Sequence, residues 1–294
     1  MATFYDTHAH LDDEQFAAEL PQVIERAHAA GITRINCIAT DLESSRKAIA
    51  LSERFPNVYA VVGWHPSHAT EAPEDIRPAL RELAKHPKVV ALGETGLDYY
   101  RLPSKKKTAS SPLPSPPSSV AKAMEHKEEE TERRLLAEDQ NYKAKQAALF
   151  RQHLEVAAET GLGVVVHERE SMQDALSQLE PFASQVRAVF HCFASDISAM
   201  QRVIALGSLV SFTGILTFKN GQNMRDTLAA TPMDKFMLET DSPYLAPAPY
   251  RGKRCEPAYV KEIADAAAEV KRCSLEELSA ATCETACGFF RGLP

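Results

Sequence analysis

His8 and His10 stand two residues apart in the run Asp6-Thr7-His8-Ala9-His10. Side chains two apart on a strand share one face, so both imidazoles can chelate one metal ion. Further metal-competent groups recur where apolar runs end. Glu94 follows Ala91-Leu92-Gly93, His167 follows Val164-Val165-Val166, His191 follows Val189-Phe190, and Asp241 follows Leu238-Glu239-Thr240. One buried histidine or glutamate is ordinarily structural and satisfied by hydrogen bonds, but five runs each delivering such a group are hard to obtain by chance. Four imidazoles and two carboxylates exceed the needs of one tetrahedral ion with an open position, so two divalent ions are expected, with Glu94 as the bridging carboxylate. Two ions about 3.5–4 Å apart would hold a bridging hydroxide and stabilise both oxygens of an in-line displacement at phosphorus. Asp241 would ligate and also accept the water proton. Glu239, two residues before Asp241 on the same run, is placed to orient ligands from behind.

The elements that must carry these groups alternate. Short β-rich runs at residues 4–8, 34–39, 58–63, 88–94, 162–167, 187–191, 208–212 and 235–240 make eight candidate strands. Helix-patterned segments lie between them, at 21–30, 43–55 and 76–85 among others. Continuous apolar strands separated by helices are what a parallel sheet covered on both faces requires. Eight such units predict a single-domain TIM (β/α)8 barrel; an open doubly wound sheet is the competing architecture. In a barrel the carboxyl ends of all strands converge on one rim, where active sites of this architecture sit.

One stretch breaks the rhythm after the fourth strand, at residues 102–140. Its first half is rich in proline and serine with no aromatic residue, so a mobile loop is expected. Its second half is charged and helix-permissive, and can extend the helix that follows. Without it the chain approaches the usual barrel length of about 250 residues. The domain assignment is therefore one barrel over 1–294 with a flexible low-complexity insertion.

Bulk properties set the class. A 44% apolar and 25% charged composition is that of an ordinary globular protein. The net charge of -7 argues against a protein that coats duplex DNA by bulk electrostatics, so any polyanion must meet a local basic patch. Arg251, Lys253 and Arg254 offer one, with a solvated charge run as the alternative. Arg169 can grip a phosphate in fork geometry or pair with a neighbour such as Glu170. His65 can hydrogen-bond a phosphate or leaving oxygen, or merely shape the loop before Pro66. Trp64, Tyr99 and Tyr100 sit where rings can stack on unpaired bases, or simply pack the rim. Lys105–Lys107 read as a solvated cluster. The six cysteines lack paired spacing and are expected to be reduced and mostly in the core. No signal or membrane segment is evident, so a cytoplasmic address, with the nucleus as alternative, and a monomer are expected.

Taken together, the motifs DTHAHLD, GWHPSHA, ALGETGLDYY, VVVHERES, VFHCFAS, SFTGILTFKN and LETDSPYLAPAPYRGKRCEP resemble those of the TatD-type deoxyribonucleases, in that family's order and over nearly the whole chain outside the insertion. The resemblance implies a divalent-metal nuclease acting on single-stranded DNA from the 3' end and described as magnesium-dependent. By motif, its metal ligands fall on His8, His10, Glu94, His167, His191 and Asp241. Two departures stand out: the run His167-Glu168-Arg169-Glu170 adds negative charge where the family has a small polar residue and Asp, and the insertion is long. By ligand preference, an imidazole-rich set suits zinc or manganese better than magnesium. A competing enzymatic reading is hydrolysis of an ester or amide, such as removal of an amino acid from transfer RNA, because the same centre can attack carbonyl carbon. A catalytically silent binding protein is the third, opposed by the intact ligand set.

Overall fold

Valine, isoleucine and aromatic residues concentrate in the short runs that become strands: β1 (Phe4–Ala9), β2 (Ile32–Ile38), β3 (Val58–Val62), β4 (Val89–Asp98), β5 (Gly163–Arg169), β6 (Ala188–Phe190), β7 (Leu209–Phe212) and β8 (Phe236–Leu238). The computed structural model describes the backbone of residues 2–107 and 118–292, and the side chains of these except 106–129. Strand order follows the chain, β1 through β8, and every paired neighbour is parallel. The helices are α1 (Leu20–Ala29), α2 (Leu42–Arg54), α3 (Arg77–Leu83), α4 (Pro103–Lys107), α5 (Ser118–Thr160), α6 (Met172–Leu179), α7 (Ile197–Ala205), α8 (Gln222–Ala230), α9 (Val260–Lys271) and α10 (Leu275–Phe289). This is the (β/α)8 barrel expected from the alternation. Among the described residues, no helix is long and apolar enough to cross a membrane.

Local chemistry starts the helices where the strands release the chain. Asp41 and Ser274 each form a reciprocal capping box at the head of α2 and α10, and Asp196 caps α7. Each such cap satisfies a backbone N–H that would otherwise be orphaned, typically contributing about 1 kcal/mol.

Two apolar layers result. Side chains such as Phe4, Ile32, Leu92 and Phe190 face outward and pack beneath the helices, while Tyr5, Val61, Val165, Val189 and Met237 fill the barrel interior. Phe289 and Phe290 come up from the end of α10 and close the amino-terminal floor against those interior residues. Phe289 fits only because residue 163 is glycine, where a Cβ would lie 2.6 Å from its ring.

Closure between β8 and β1 is made by side chains and by the segment following β8. The Asp6 carboxylate accepts hydrogen bonds from the Thr240 backbone N–H (2.9 Å) and hydroxyl (2.6 Å). Asp241 N–H donates to the His8 carbonyl (2.9 Å), and His10 N–H to that of Ser242 (2.8 Å). The last link of the barrel therefore runs through the residues that flank the candidate ligands.

One expectation changes. Only Cys37 and Cys255 are buried; Cys192, Cys273, Cys283 and Cys287 are partly exposed, and all six are free thiols. The 102–140 segment is anchored at both ends: Leu102 is buried, and Asp139 accepts hydrogen bonds from the Ser104 N–H (3.0 Å) and hydroxyl (2.5 Å). Its charged half does join the following helix as α5, and its low-complexity stretch at 108–117 lies outside the described residues.

Candidate metal centre

All six predicted ligands meet at the carboxyl rim. His8 and His10 come from β1 and the residue after it, Glu94 from β4, His167 from β5, and His191 and Asp241 from the residues following β6 and β8. A register shift between Leu92 and Thr95 interrupts the β4–β5 ladder and re-aims Glu94 toward the mouth. Gly96, at φ +129°, lets β4 pass so close to His167 that a Cβ would lie 2.2 Å from the His167 carbonyl oxygen.

The Glu94 carboxylate divides its two oxygens between two groups of histidines. Oε2 lies 3.4 Å from His8 Nε2 and 3.8 Å from His10 Nε2. Oε1 lies 2.8 Å from His167 Nδ1 and 2.7 Å from His191 Nε2. Asp241 completes the first group, with Oδ1 3.7 Å from His8 Nε2 and 3.5 Å from His10 Nε2. Asp241 itself sits at φ +60° and Cys192, directly after His191, at φ +45°. Such left-handed backbone in non-glycine residues is costly, and the surrounding structure must hold it.

Partners behind the ligands fix which nitrogen faces the centre. His10 Nδ1 donates to the Ile38 carbonyl (3.1 Å), leaving Nε2 as the free lone pair. His191 Nδ1 faces Glu239 (3.5 Å), and His167 Nε2 faces Asp98 (3.4 Å). Glu239 also accepts from the Cys192 N–H (2.6 Å), as expected of a group that orients ligands. Three imidazole lone pairs thus point at carboxylates 2.7–3.8 Å away. That arrangement is repulsive unless a cation or a proton lies between them. His8 is wholly buried, stacked on His191 at 4.0 Å, and neither of its ring nitrogens has a hydrogen-bond partner. The donor set therefore fits divalent metal.

Electrostatics agree with the geometry. Burial pulls the His10 pKa down, but the Asp241 and Glu94 carboxylates beside it prevail and lift it to about 9. Burial would likewise lower His191 and raise Glu94; their mutual attraction, with further histidines around Glu94, drives His191 well up and Glu94 well down. His167 is raised against burial by Asp98 and Glu94, whereas burial and the neighbouring His191 lower His8. Asp241 is held low against burial by His10 and His8. Beneath them Asp6 is pushed up to about 8 by burial.

His65 differs in kind. The Ser67 N–H donates to its Nδ1 (3.0 Å), so the neutral ring carries its proton on Nε2, which faces Glu94 Oε1 at 3.4 Å. Burial lowers its pKa to about 4, so it is a neutral donor at pH 7.

The substrate-facing candidates separate. Trp64 is only 8% exposed and its Nε1–H donates to the His68 carbonyl; Tyr99 is 9% exposed and its hydroxyl donates to Asp174. Neither ring offers an open face to a base: both are nearly buried, and the Lys143 ammonium of α5 lies 4.4 Å from the Tyr99 ring centroid. Tyr100 is 50% exposed, with the Arg169 guanidinium 3.7 Å from its ring centroid. Glu170 pairs with Lys105 rather than with Arg169, and Glu168 accepts from the Ser171 N–H (2.7 Å). The added acidic charges are thus engaged, and Lys105 is no free solvated lysine. Arg254 is withdrawn from the basic patch by Glu19 (2.8 Å) and Glu256 (2.7 Å). Arg251 and Lys253 are exposed, Arg251 over the Phe218 ring at 3.7 Å.

Two residues escaped the sequence reading. Asp98 backs His167, and the signal was present in the strand run itself, two residues beyond Gly96. Tyr244, 52% exposed, lies edge-on to His10 with ring centroids 6.1 Å apart.

Comparison with known proteins gives the arrangement its context. The chain is 33% identical over 288 residues to the uncharacterized metal-dependent hydrolase YabD of Bacillus subtilis, covering 98% of each. It is 31% identical over 294 residues to the 3'-5' ssDNA/RNA exonuclease TatD of Pantoea vagans, covering 98% of this chain and 99% of the relative. The crystal structure of YjjV, a TatD homologue from Escherichia coli, shares the fold with a TM-score of 0.81 at 22% identity, covering 99% and 98% of the two chains. The family model for TatD related DNase matches residues 5–291, which include every candidate ligand, and the chain belongs to that family.

Proposed function

We propose that this protein is a divalent-metal-dependent nuclease that hydrolyses phosphodiester bonds in single-stranded nucleic acid from the 3' end. The observation that carries the reading is the Glu94 carboxylate, with one oxygen toward His8 and His10 and the other toward His167 and His191. Two ions fit that division better than one: His8, His10 and Asp241 would hold the first, His167 and His191 the second, and Glu94 would be shared. Bound there, the ions would supply Lewis-acid charge to the phosphoryl oxygens and acidify the attacking water. The imidazole-rich set favours zinc or manganese occupancy over magnesium. The named activity of the Pantoea vagans relative supports the substrate class and polarity.

The chain's own groups then have separate tasks. Asp241, kept ionised by His10 and His8, accepts the proton of the attacking water. His65 donates from Nε2 to a phosphate or leaving oxygen, a role for which its neutral tautomer is suited. Arg169, with no carboxylate partner among the described residues, presents its fork to a phosphate. Asp98 and Glu239 keep His167 and His191 in the orientation that directs their lone pairs inward. Six free thiols suit a reducing compartment, and the cytoplasm is the proposed place of action.

The test is a product ladder from a 5'-labelled single-stranded oligonucleotide, with aminoacylated transfer RNA assayed in parallel. Chelator-sensitive, stepwise shortening is expected, and its loss in folded His191→Ala and Asp241→Ala. Unchanged turnover in both variants would refute the site, and release of the amino acid alone would replace the nuclease by the ester hydrolase.

A further inference from the structure

Among the described residues, four large apolar or aromatic side chains are exposed, and two of them, Tyr100 and Tyr244, are rings at the rim of the centre. Their positions on the barrel are informative. Tyr244 follows β8 and leans on His10, which follows β1; Tyr100 follows β4 and is covered by Arg169, the last residue of β5. On a circle of eight strands in sequence order, the β8–β1 joint lies opposite the β4–β5 pair. Eight strands about 4.8 Å apart and tilted by about 36° close on a circle roughly 15 Å across. The two rings are therefore rooted on opposite sides of the mouth.

From this we infer that Tyr244 and the Tyr100–Arg169 pair are two separate stacking platforms, one on either side of the centre, that hold different unpaired bases of one strand and draw the phosphodiester between them across Glu94. The inference rests on the nuclease reading for its substrate, and it makes the rings the source of single-strand preference. A duplex keeps its bases stacked on each other and has no free faces to offer. Aromatic platforms suit an acidic protein, because base stacking tolerates any sequence and needs no extended basic surface. Neither ring is needed to fill the core: each has half its surface in solvent, and the Tyr244 hydroxyl reaches, among the described residues, only Asp13, at 3.5 Å. Arg169 serves twice, covering Tyr100 with its plane and keeping its edge for phosphate.

The measurement is fluorescence anisotropy of the metal-loaded protein with a hydrolysis-resistant phosphorothioate deoxythymidine 12-mer. Tyr100→Ala and Tyr244→Ala are each expected to weaken Kd by roughly tenfold or more, and Tyr100→Phe and Tyr244→Phe to stay within about twofold of the parent. Abasic nucleotides placed one at a time should weaken binding to the parent at two separated positions. Each Ala variant should lose its sensitivity at one of the two, which a merely structural role would not produce. Kd unmoved in both Ala variants, a single sensitive position, or a hairpin duplex bound as tightly as the single strand would overturn the inference. Hydrolysis of the unmodified 12-mer is followed separately. Ring-dependent binding without chelator-sensitive hydrolysis removes the nuclease reading and keeps the platforms; hydrolysis with ring-independent binding does the reverse; no binding at all removes both.

Discussion

His153 gives the most quantitative test of the fold beneath the centre. It lies on α5, wholly buried, with Nδ1 donating to the Leu149 carbonyl (2.8 Å) and Nε2 accepting from the Trp64 N–H (3.0 Å). The ring thereby ties α5 to the residue before His65, and its Nδ1 also lies 3.0 Å from the hydroxyl of Thr95, the residue after Glu94. Burial lowers its pKa from 6.5 to about 4, because a charged ring would both lose water and lose the lone pair that Trp64 N–H occupies. Above pH 6.5 the ring is neutral whether the chain is folded or not, and it makes no pH-dependent contribution. Between 6.5 and 4 the unfolded chain takes up a proton that the folded one refuses, so stability falls as pH falls. The full window is worth about 3 kcal/mol, at about 1.4 kcal/mol per pH unit. His153→Gln keeps a donor and an acceptor but does not titrate. Urea denaturation of parent and variant from pH 7.5 to 4 should show the parent's advantage shrinking by about that amount as pH drops, while every other titrating group cancels in the difference. A gap between the two proteins that stays constant within about 0.5 kcal/mol would refute the reasoning.

Asp98→Asn should cut metal affinity by about 10- to 100-fold, measured by competition with a chromophoric chelator, because His167 loses the carboxylate that fixes its tautomer. Unfolding temperature without metal should change far less, and equal affinity in the variant would show that Asp98 does not orient the ligand. At the opposite end, Phe289→Ala should destabilise the barrel by about 3–5 kcal/mol in urea, since the vacated floor is lined by strands that cannot collapse into it. A loss below about 1 kcal/mol would mean the floor reorganises.

The strands were legible because valine- and isoleucine-rich runs bounded by polar helix starts leave little choice of geometry. The ligands were legible for a related reason: strand ends converge in a barrel whatever the connections do, so His167 and Asp241 could be brought together without any knowledge of contacts. What could not be read depends on register and on distant partners. Hydropathy alone ends β4 at Glu94, yet the strand continues to Asp98, and only the shift against β5 shows why Asp98 faces His167. Arg254 reads as a free cation until Glu19, far back in the chain, is seen beside it. Trp64 and Tyr99 have the composition of stacking residues, but hydrogen bonds to His68 and Asp174 hold them down. Tyr244 is one tyrosine in a proline-rich loop and carries no periodic signal.

The long connection between β4 and β5 also divides the coordination set. His8, His10 and Glu94 precede it; His167, His191 and Asp241 follow it. A protease clip between α4 and α5 would leave two fragments, each a four-strand half with an incomplete shell of ligands. Cations seated on Glu94 would rivet such fragments together, and chelation would loosen the rivet. Cleavage at that connection would thus make metal occupancy one more tie, beside the β4–β5 ladder, holding the two pieces as one particle.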